Sequence, residues 1–149
     1  MRRSAVILVA VVGLTAFAAG CSPKGSERAI PSSADRVVEL SMTGMRFIPD
    51  RLTVHVGETI AFVVSNPNDI AHEVYIGDMD EQTTHEAMHM AAPSNQQAMV
   101  SHYGTGIFLD AHGTEVLTYH FATAGEIFIG CHLPGHWAAG MHADVTITP

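Results

Sequence analysis

The chain has 149 residues, 47% of them hydrophobic and 15% charged, with 15 Asp and Glu against 7 Lys and Arg, a size that suits one globular domain with an appendage. A formal charge of −8 with histidine neutral excludes the clustered basic surface that nucleic-acid binding requires. Two cysteines, Cys21 and Cys131, are too few for a disulfide-stapled scaffold, whereas ten His and eight Met are an excess of borderline and soft metal donors.

Met1, Arg2 and Arg3 precede an apolar run over 4–19 that ends in small residues, the charged and hydrophobic parts of an export signal. The run is too short and too rich in Ala and Gly for a membrane span. Ala18-Ala19-Gly20-Cys21 resembles the lipobox of bacterial lipoproteins, which implies a cleaved signal peptide over 1–20 and lipidation of Cys21 as the new N-terminus. A soluble exported protein cut elsewhere, or an uncleaved anchor, are the other readings of this segment. Several acyl chains on Cys21 would hold the protein durably at the periplasmic or other extracytoplasmic face of a membrane. Cleavage removes Arg2 and Arg3, leaving 5 basic residues against 15 acidic ones and a formal −10, so charge would not draw the protein to anionic lipid. Residues 21–34 hold Pro23, Gly25, Pro31 and four Ser and read as a flexible tether; an ordered extension packed on the domain is the alternative.

From residue 35 to 149 the chain reads as a single domain of short strands. Val38-Leu40-Met42, Leu52-Val54-Val56 and Ile60-Phe62-Val64 alternate with period two, the mark of half-buried strands. Gly57-Glu58 and Asn66-Pro67-Asn68-Asp69 are turns. Extended segments follow over 71–76, over 115–121 with Leu117, Tyr119 and Phe121 on one face, and over 126–130, and the last is Ala143-Val145-Ile147. Seven strands at this spacing predict an all-β, two-sheet sandwich.

Residues 77–113 interrupt the pattern. Thr83-Thr84-His85-Glu86 has the form of a capping box, predicting a short helix that ends before Pro93. So long an excursion in a compact domain is usually functional or mobile. Met79, His85, Met88, His89, Met90, Met99 and His102 concentrate donors here, and His85 and His89 share one face if the segment is helical. Two readings stand. One is a second, labile copper site of His85, Met88, His89 and Met90, suited to Cu(I) through its thioethers. The simpler one is a Met-rich helix covering the sandwich with its histidines at the rim.

Cys131-His132-Leu133-Pro134-Gly135-His136-Trp137-Ala138-Ala139-Gly140-Met141 lies between the last two predicted strands. A thiolate, an imidazole and a thioether thus stand five residues apart, and His72 opens a strand directly after a turn. These are the ingredients of a His2Cys site with a weak axial Met. Cys131-x4-His136-x4-Met141 with His72 upstream resembles the cupredoxins, the plastocyanin/azurin-like type 1 copper proteins. Met45-x-Phe47-x-Pro49-x2-Leu52-x-Val54-x2-Gly57-Glu58-x-Ile60-x-Phe62 and Ala71-His72-Glu73-Val74 are similar to the family's first strands and its first ligand segment. The resemblance, over roughly 45–148, implies a Greek-key sandwich holding one type 1 copper ion at one end through His72, Cys131, His136 and Met141. Many members carry Asn after the first His; here it is Glu73, so the resemblance does not supply the hydrogen bond that steadies the Cys loop.

The same resemblance implies one-electron transfer through the His136 edge, with Trp137, Ala138 and Ala139 forming an apolar docking patch for a redox partner such as a cytochrome or membrane oxidase. The longer ligand loop also resembles envelope proteins linked to copper tolerance, the alternative function. The final motif of multicopper oxidases is similar too, but it places a His where this chain has Gly130. The chain also lacks any His-x-His pair, so we expect no enzyme and read the protein as a monomer. His132 and His142 adjoin ligands on the chain and should point elsewhere, His55 should face solvent, and His112 and His120 receive no role.

Overall fold

Alternating apolar side chains fold as expected into strands, and two further pairings appear between them. In chain order the elements are β1 (Arg36–Met42), β2 (Phe47–Ile48), β3 (Arg51–His55), β4 (Thr59–Ser65), β5 (His72–Gly77), α1 (Met79–Ala91), β6 (Gly106–Leu109), β7 (Thr114–His120), β8 (Gly125–Gly130) and β9 (His142–Thr148). The computed structural model describes residues 29–92, 94, 97, 98, 100 and 105–149. The expected signal peptide, Cys21, part of the tether, Met99 and His102 lie outside them. None of the described helices is long and apolar enough to cross a membrane.

The strands form two sheets, β2-β1-β4-β7 and β3-β9-β8-β5-β6. Both are mixed, because β1 runs parallel to β4 and β3 parallel to β9 while the other pairs are antiparallel. This is the two-sheet sandwich that the strand pattern predicts. The inward residues Leu40, Met42, Val54, Ile60, Phe62, Val64, Val145 and Ile147 join one core, each fully buried aliphatic or aromatic side chain contributing about 1.5–3 kcal/mol. Phe62 and Phe121 meet edge to face at 6.5 Å.

Three details differ from the sequence reading. Strands β2 and β6 were not expected: two residues are too few to show alternation, and β6 lies inside the excursion. Val56 is 41% exposed, because the chain leaves β3 at His55 to enter the Gly57 turn. The helix is capped five residues earlier than the Thr83 motif indicates. Asp78 Oδ1 accepts from the Glu81 backbone N–H at 2.9 Å and Glu81 Oε2 accepts from that of Asp78 at 2.8 Å, the two reciprocal bonds of a capping box. Thr83 lies inside the helix, its hydroxyl donating to Met79 O.

The turn ahead of β5 is held from within. Asn66, 1% exposed, donates through Nδ2 to Ile70 O at 2.8 Å and Asp110 O at 2.9 Å, and its Oδ1 accepts from Asn68 N at 3.1 Å. A buried amide bonded this fully fixes its surroundings, so His72 enters β5 from an anchored loop.

Candidate metal centre

Strand β5 is buried along its whole length, because the core covers one face and α1 the other. Successive side chains alternate between these faces. His72, Val74 and Ile76 therefore face the core, while Glu73, Tyr75 and Gly77 face the helix. The antiparallel register of Tyr75 opposite Gly130 carries the chain beyond β8 alongside the start of β5, bringing Cys131 to His72.

The loop from 131 to 141 is a series of tight turns closed on itself. His136 N–H donates to Leu133 O at 2.9 Å, Gly140 N–H to Trp137 O at 2.9 Å and Met141 N–H to His136 O at 3.1 Å, and Cys131 N–H donates to Met141 O at 3.2 Å. Gly140, at φ 89°, takes the left-handed conformation that a side chain disfavours and turns the chain into Met141. The loop is thus a rigid mount before any metal arrives.

On this mount His72 Nδ1 lies 3.2 Å from His136 Nδ1. Cys131 Sγ lies 3.2 Å from His136 Nδ1 and 4.0 Å from His72 Nδ1. The three donor atoms all lie within 4.8 Å of one another. His72 and Cys131 are fully buried and His136 is half-buried. Met141, also fully buried, belongs to the same core cluster as Cys131. The sequence-predicted His72, Cys131 and His136 are thus brought together, with Met141 at the loop's closing bond.

Burial governs the protonation of these groups. Burial and then the neighbouring His136 lower His72 to about 4, burial lowers His136, and burial pushes the Cys131 thiol up to about 12. At neutral pH both imidazoles are neutral and offer lone pairs, and the thiol keeps its proton until a metal displaces it. One thiolate with two imidazoles fits copper and is foreign to Mg2+ or Ca2+, which take oxygen.

Glu73 supplies the hydrogen bonds that the sequence left open. Its backbone N–H points at Cys131 Sγ at 3.5 Å and its Oε1 accepts from His132 N–H at 2.6 Å. His132 Nε2 meets Gln82 Oε1 at 2.6 Å, and Gln82 Nε2 faces Phe128 O at 2.9 Å. His132 therefore points away from the donors, as expected. Trp137 stacks on His132 at 4.7 Å, with Phe128 and His142 as its other ring neighbours. Its ring is half-buried against these neighbours, and Ala138 and Ala139 are exposed.

The excursion also departs from expectation. His85 and His89 are each 1% exposed and meet Glu73, while Met90 is 70% exposed. The histidines are not at the rim, and Met90 does not join them. Met88 is half-buried beside a surface cleft. Glu73 was missed as a partner; a lone carboxylate inside the apolar stretch 71–76 was the available signal.

Two tests arise here. A Cβ at Gly130 would stand 2.5 Å from Gln82 Oε1 and 2.7 Å from the Trp137 ring, so Gly130→Ala should cost about 1–3 kcal/mol in urea unfolding. A loss below measurement would show that the helix and loop yield freely. The second test is pH. His72 and His132, lowered by burial from 6.5 to about 4, bind protons in the unfolded chain before the folded one. Burial alone would raise Glu73, but hydrogen bonds from His85 and His89 hold it at about 2 against an ordinary 4.5. The metal-free protein should therefore lose stability as pH falls from 6.5 to 4 and lose more from 4.5 to 2. A flat profile from 6.5 to 4 contradicts these assignments.

A profile of the copper-binding proteins of the plastocyanin/azurin family matches residues 34–148. The chain is 32% identical over 117 residues to the copper-resistant cuproprotein CopI of Rubrivivax gelatinosus, covering 78% of this chain and 68% of that one. It is 26% identical over 143 residues to the CopI of Pseudomonas aeruginosa, with 79% of each covered. Among solved structures, auracyanin B aligns with a TM-score of 0.65 at 19% identity, covering 80% of this chain and 94% of its own. The reduced auracyanin of Roseiflexus castenholzii aligns at 0.63 and 21%, covering 78% and 99%.

Proposed function

The chain belongs to the plastocyanin/azurin family of copper-binding proteins, and from that premise we propose that it is an exported cupredoxin of copper tolerance with a type 1 centre formed by His72, Cys131, His136 and Met141. The observation that carries this is the convergence of three donor atoms at 3.2, 3.2 and 4.0 Å on a loop whose ends are bonded at Cys131 and Met141. Copper bound there supplies one-electron chemistry between its cupric and cuprous states. The chain's own groups do the rest. The two neutral imidazoles and the thiolate hold the ion, the Glu73 N–H draws charge from the sulfur, and the closed loop limits rearrangement.

Copper tolerance is supported by the relatives of Rubrivivax gelatinosus and Pseudomonas aeruginosa, which are named as copper-resistant. In this reading residues 1–20 direct export, Cys21 carries the lipid anchor and 21–34 is the tether between membrane and domain. The protein is non-catalytic.

A second reading, electron transfer, draws on the half-buried His136 ring, which is flanked by exposed Pro134, Ala138 and Ala139 and offers the small contact typical of redox encounters with a cytochrome or membrane oxidase. Deleting the gene and complementing with the wild type or Cys131→Ser separates the two. Tolerance predicts copper sensitivity on deletion, rescued by the wild type alone. Unchanged growth in copper, together with rapid reduction of the purified protein by a membrane cytochrome, favours electron transfer.

A further inference from the structure

On the helix side of β5 lies a second convergence of donor atoms. His85 Nε2 stands 3.3 Å from Glu73 Oε1, His89 Nε2 stands 3.0 Å from Glu73 Oε2, and the two Nε2 atoms are 3.1 Å apart. All three side chains are at most 1% exposed. Ligands about 2.0–2.1 Å from one ion stand about 2.9 Å apart at the right angle of a tetragonal site and about 3.3 Å apart at the tetrahedral angle, a range that holds the three separations found.

We propose that Glu73, His85 and His89 form a second metal site, distinct from the Cys131 centre, that takes a divalent first-row cation, with Cu(II) preferred. Two imidazoles and a carboxylate suit Cu(II) and Zn(II), Cu(II) binds more tightly in the usual order of divalent affinities, and none of these three donors is a thioether that would select Cu(I). This inverts the thioether site that the excursion's methionines suggest.

Three features preorganise the site. The capped helix α1 places His85 and His89 four residues apart on one face. Tyr75 stacks on the His85 ring at 3.8 Å and 4°, and the His132 N–H holds Glu73 Oε1 at 2.6 Å. Charge points the same way. The ion-pair partners of the Glu73 carboxylate among the described residues are these two histidines, so a divalent cation would stand between a buried acidic group and two buried imidazoles. A surface cleft of about 320 Å³, lined by Tyr75, Asp80, Glu81, Thr84, His85 and Met88, has His85 in its wall.

The test is equilibrium dialysis of the purified, metal-free protein against Cu(II), followed by electron-spin resonance. His85→Asn and His89→Asn should each bind one equivalent fewer than the wild type while keeping the visible band of the Cys131 centre. The lost equivalent should be the one giving a broad copper hyperfine pattern with two nitrogen couplings. Cys131→Ser should lose the visible band and keep that broad signal, which separates failure of this site from failure of the type 1 assignment. Met88→Leu with Met90→Leu should change neither. Should a histidine variant fail to fold, the wild-type spectrum decides through the same two-nitrogen signal. Histidine variants that fold and bind as many ions as the wild type, loss of the broad signal in the methionine variant, or a wild type without that signal under excess Cu(II) would overturn the proposal. The cluster would then be a hydrogen-bonded Glu-His-His network alone.

Discussion

Cys131→Ser removes the intense visible absorption of the copper-loaded protein and weakens binding at that centre by more than about 100-fold, beyond the 10–100-fold that follows loss of an outer-shell partner. The argument is one of donor chemistry. The band arises from charge moving between a thiolate sulfur and the metal, and a hydroxyl supplies neither the soft donor nor the anion at neutral pH. Burial has already raised the Cys131 thiol to about 12, so only an ion able to displace its proton binds there. The backbone geometry does not depend on the sulfur, since the Cys131 N–H to Met141 O bond at 3.2 Å closes the loop. The variant should remain folded, with about 1–3 kcal/mol lost to a buried hydroxyl. Retention of the band in a folded Cys131→Ser protein would refute the ligand assignment.

Glu73→Ala is the second large effect, and it acts on stability. The fully buried carboxylate accepts the His132 N–H at 2.6 Å and stands 3.3 and 3.0 Å from the His85 and His89 Nε2 atoms. Its removal leaves that buried N–H without its acceptor and the two ring nitrogens 3.1 Å apart with no anion between them. Breaking a buried charged network from one side costs about 3–5 kcal/mol, and we expect a loss of that size in urea unfolding of the metal-free protein. Glu73→Gln, which keeps an oxygen for the His132 N–H, should lose less than Glu73→Ala. A Glu73→Ala protein within about 1 kcal/mol of wild type, inside the range of ordinary surface substitutions, would show that the network does not tie helix to loop.

The proposed type 1 donors were legible because Cys131, His136 and Met141 lie in one loop, whose spacing resembles the family's ligand loop. His72 was legible because a turn and a strand start are both marked by local composition. The second cluster was only half legible. His85 and His89 announce themselves as neighbours on a helix, but Glu73 meets them only because β5 has one face toward the core and the other toward α1. Two-sided burial cannot be seen in a period-two pattern. The helix misled for the same reason. Its buried positions are Gln82, His85 and His89, a polar face that meets carbonyls, a carboxylate and its own members, so hydrophobic periodicity gave it no orientation and its methionines drew attention outward. Asp78-x-x-Glu81 and Thr83-x-x-Glu86 fit the same capping pattern, and the end of β5 at Gly77 decided between them.

The most direct measurement is the combined optical and electron-spin-resonance spectrum of the wild-type protein carrying one equivalent of Cu(II). A cupric ion held by Cys131, His72 and His136 in a rigid mount gives an intense thiolate band in the visible, a narrowed copper hyperfine splitting, and bleaching of both on reduction. A colourless protein with only the broad splitting of an ordinary nitrogen and oxygen site would contradict that account.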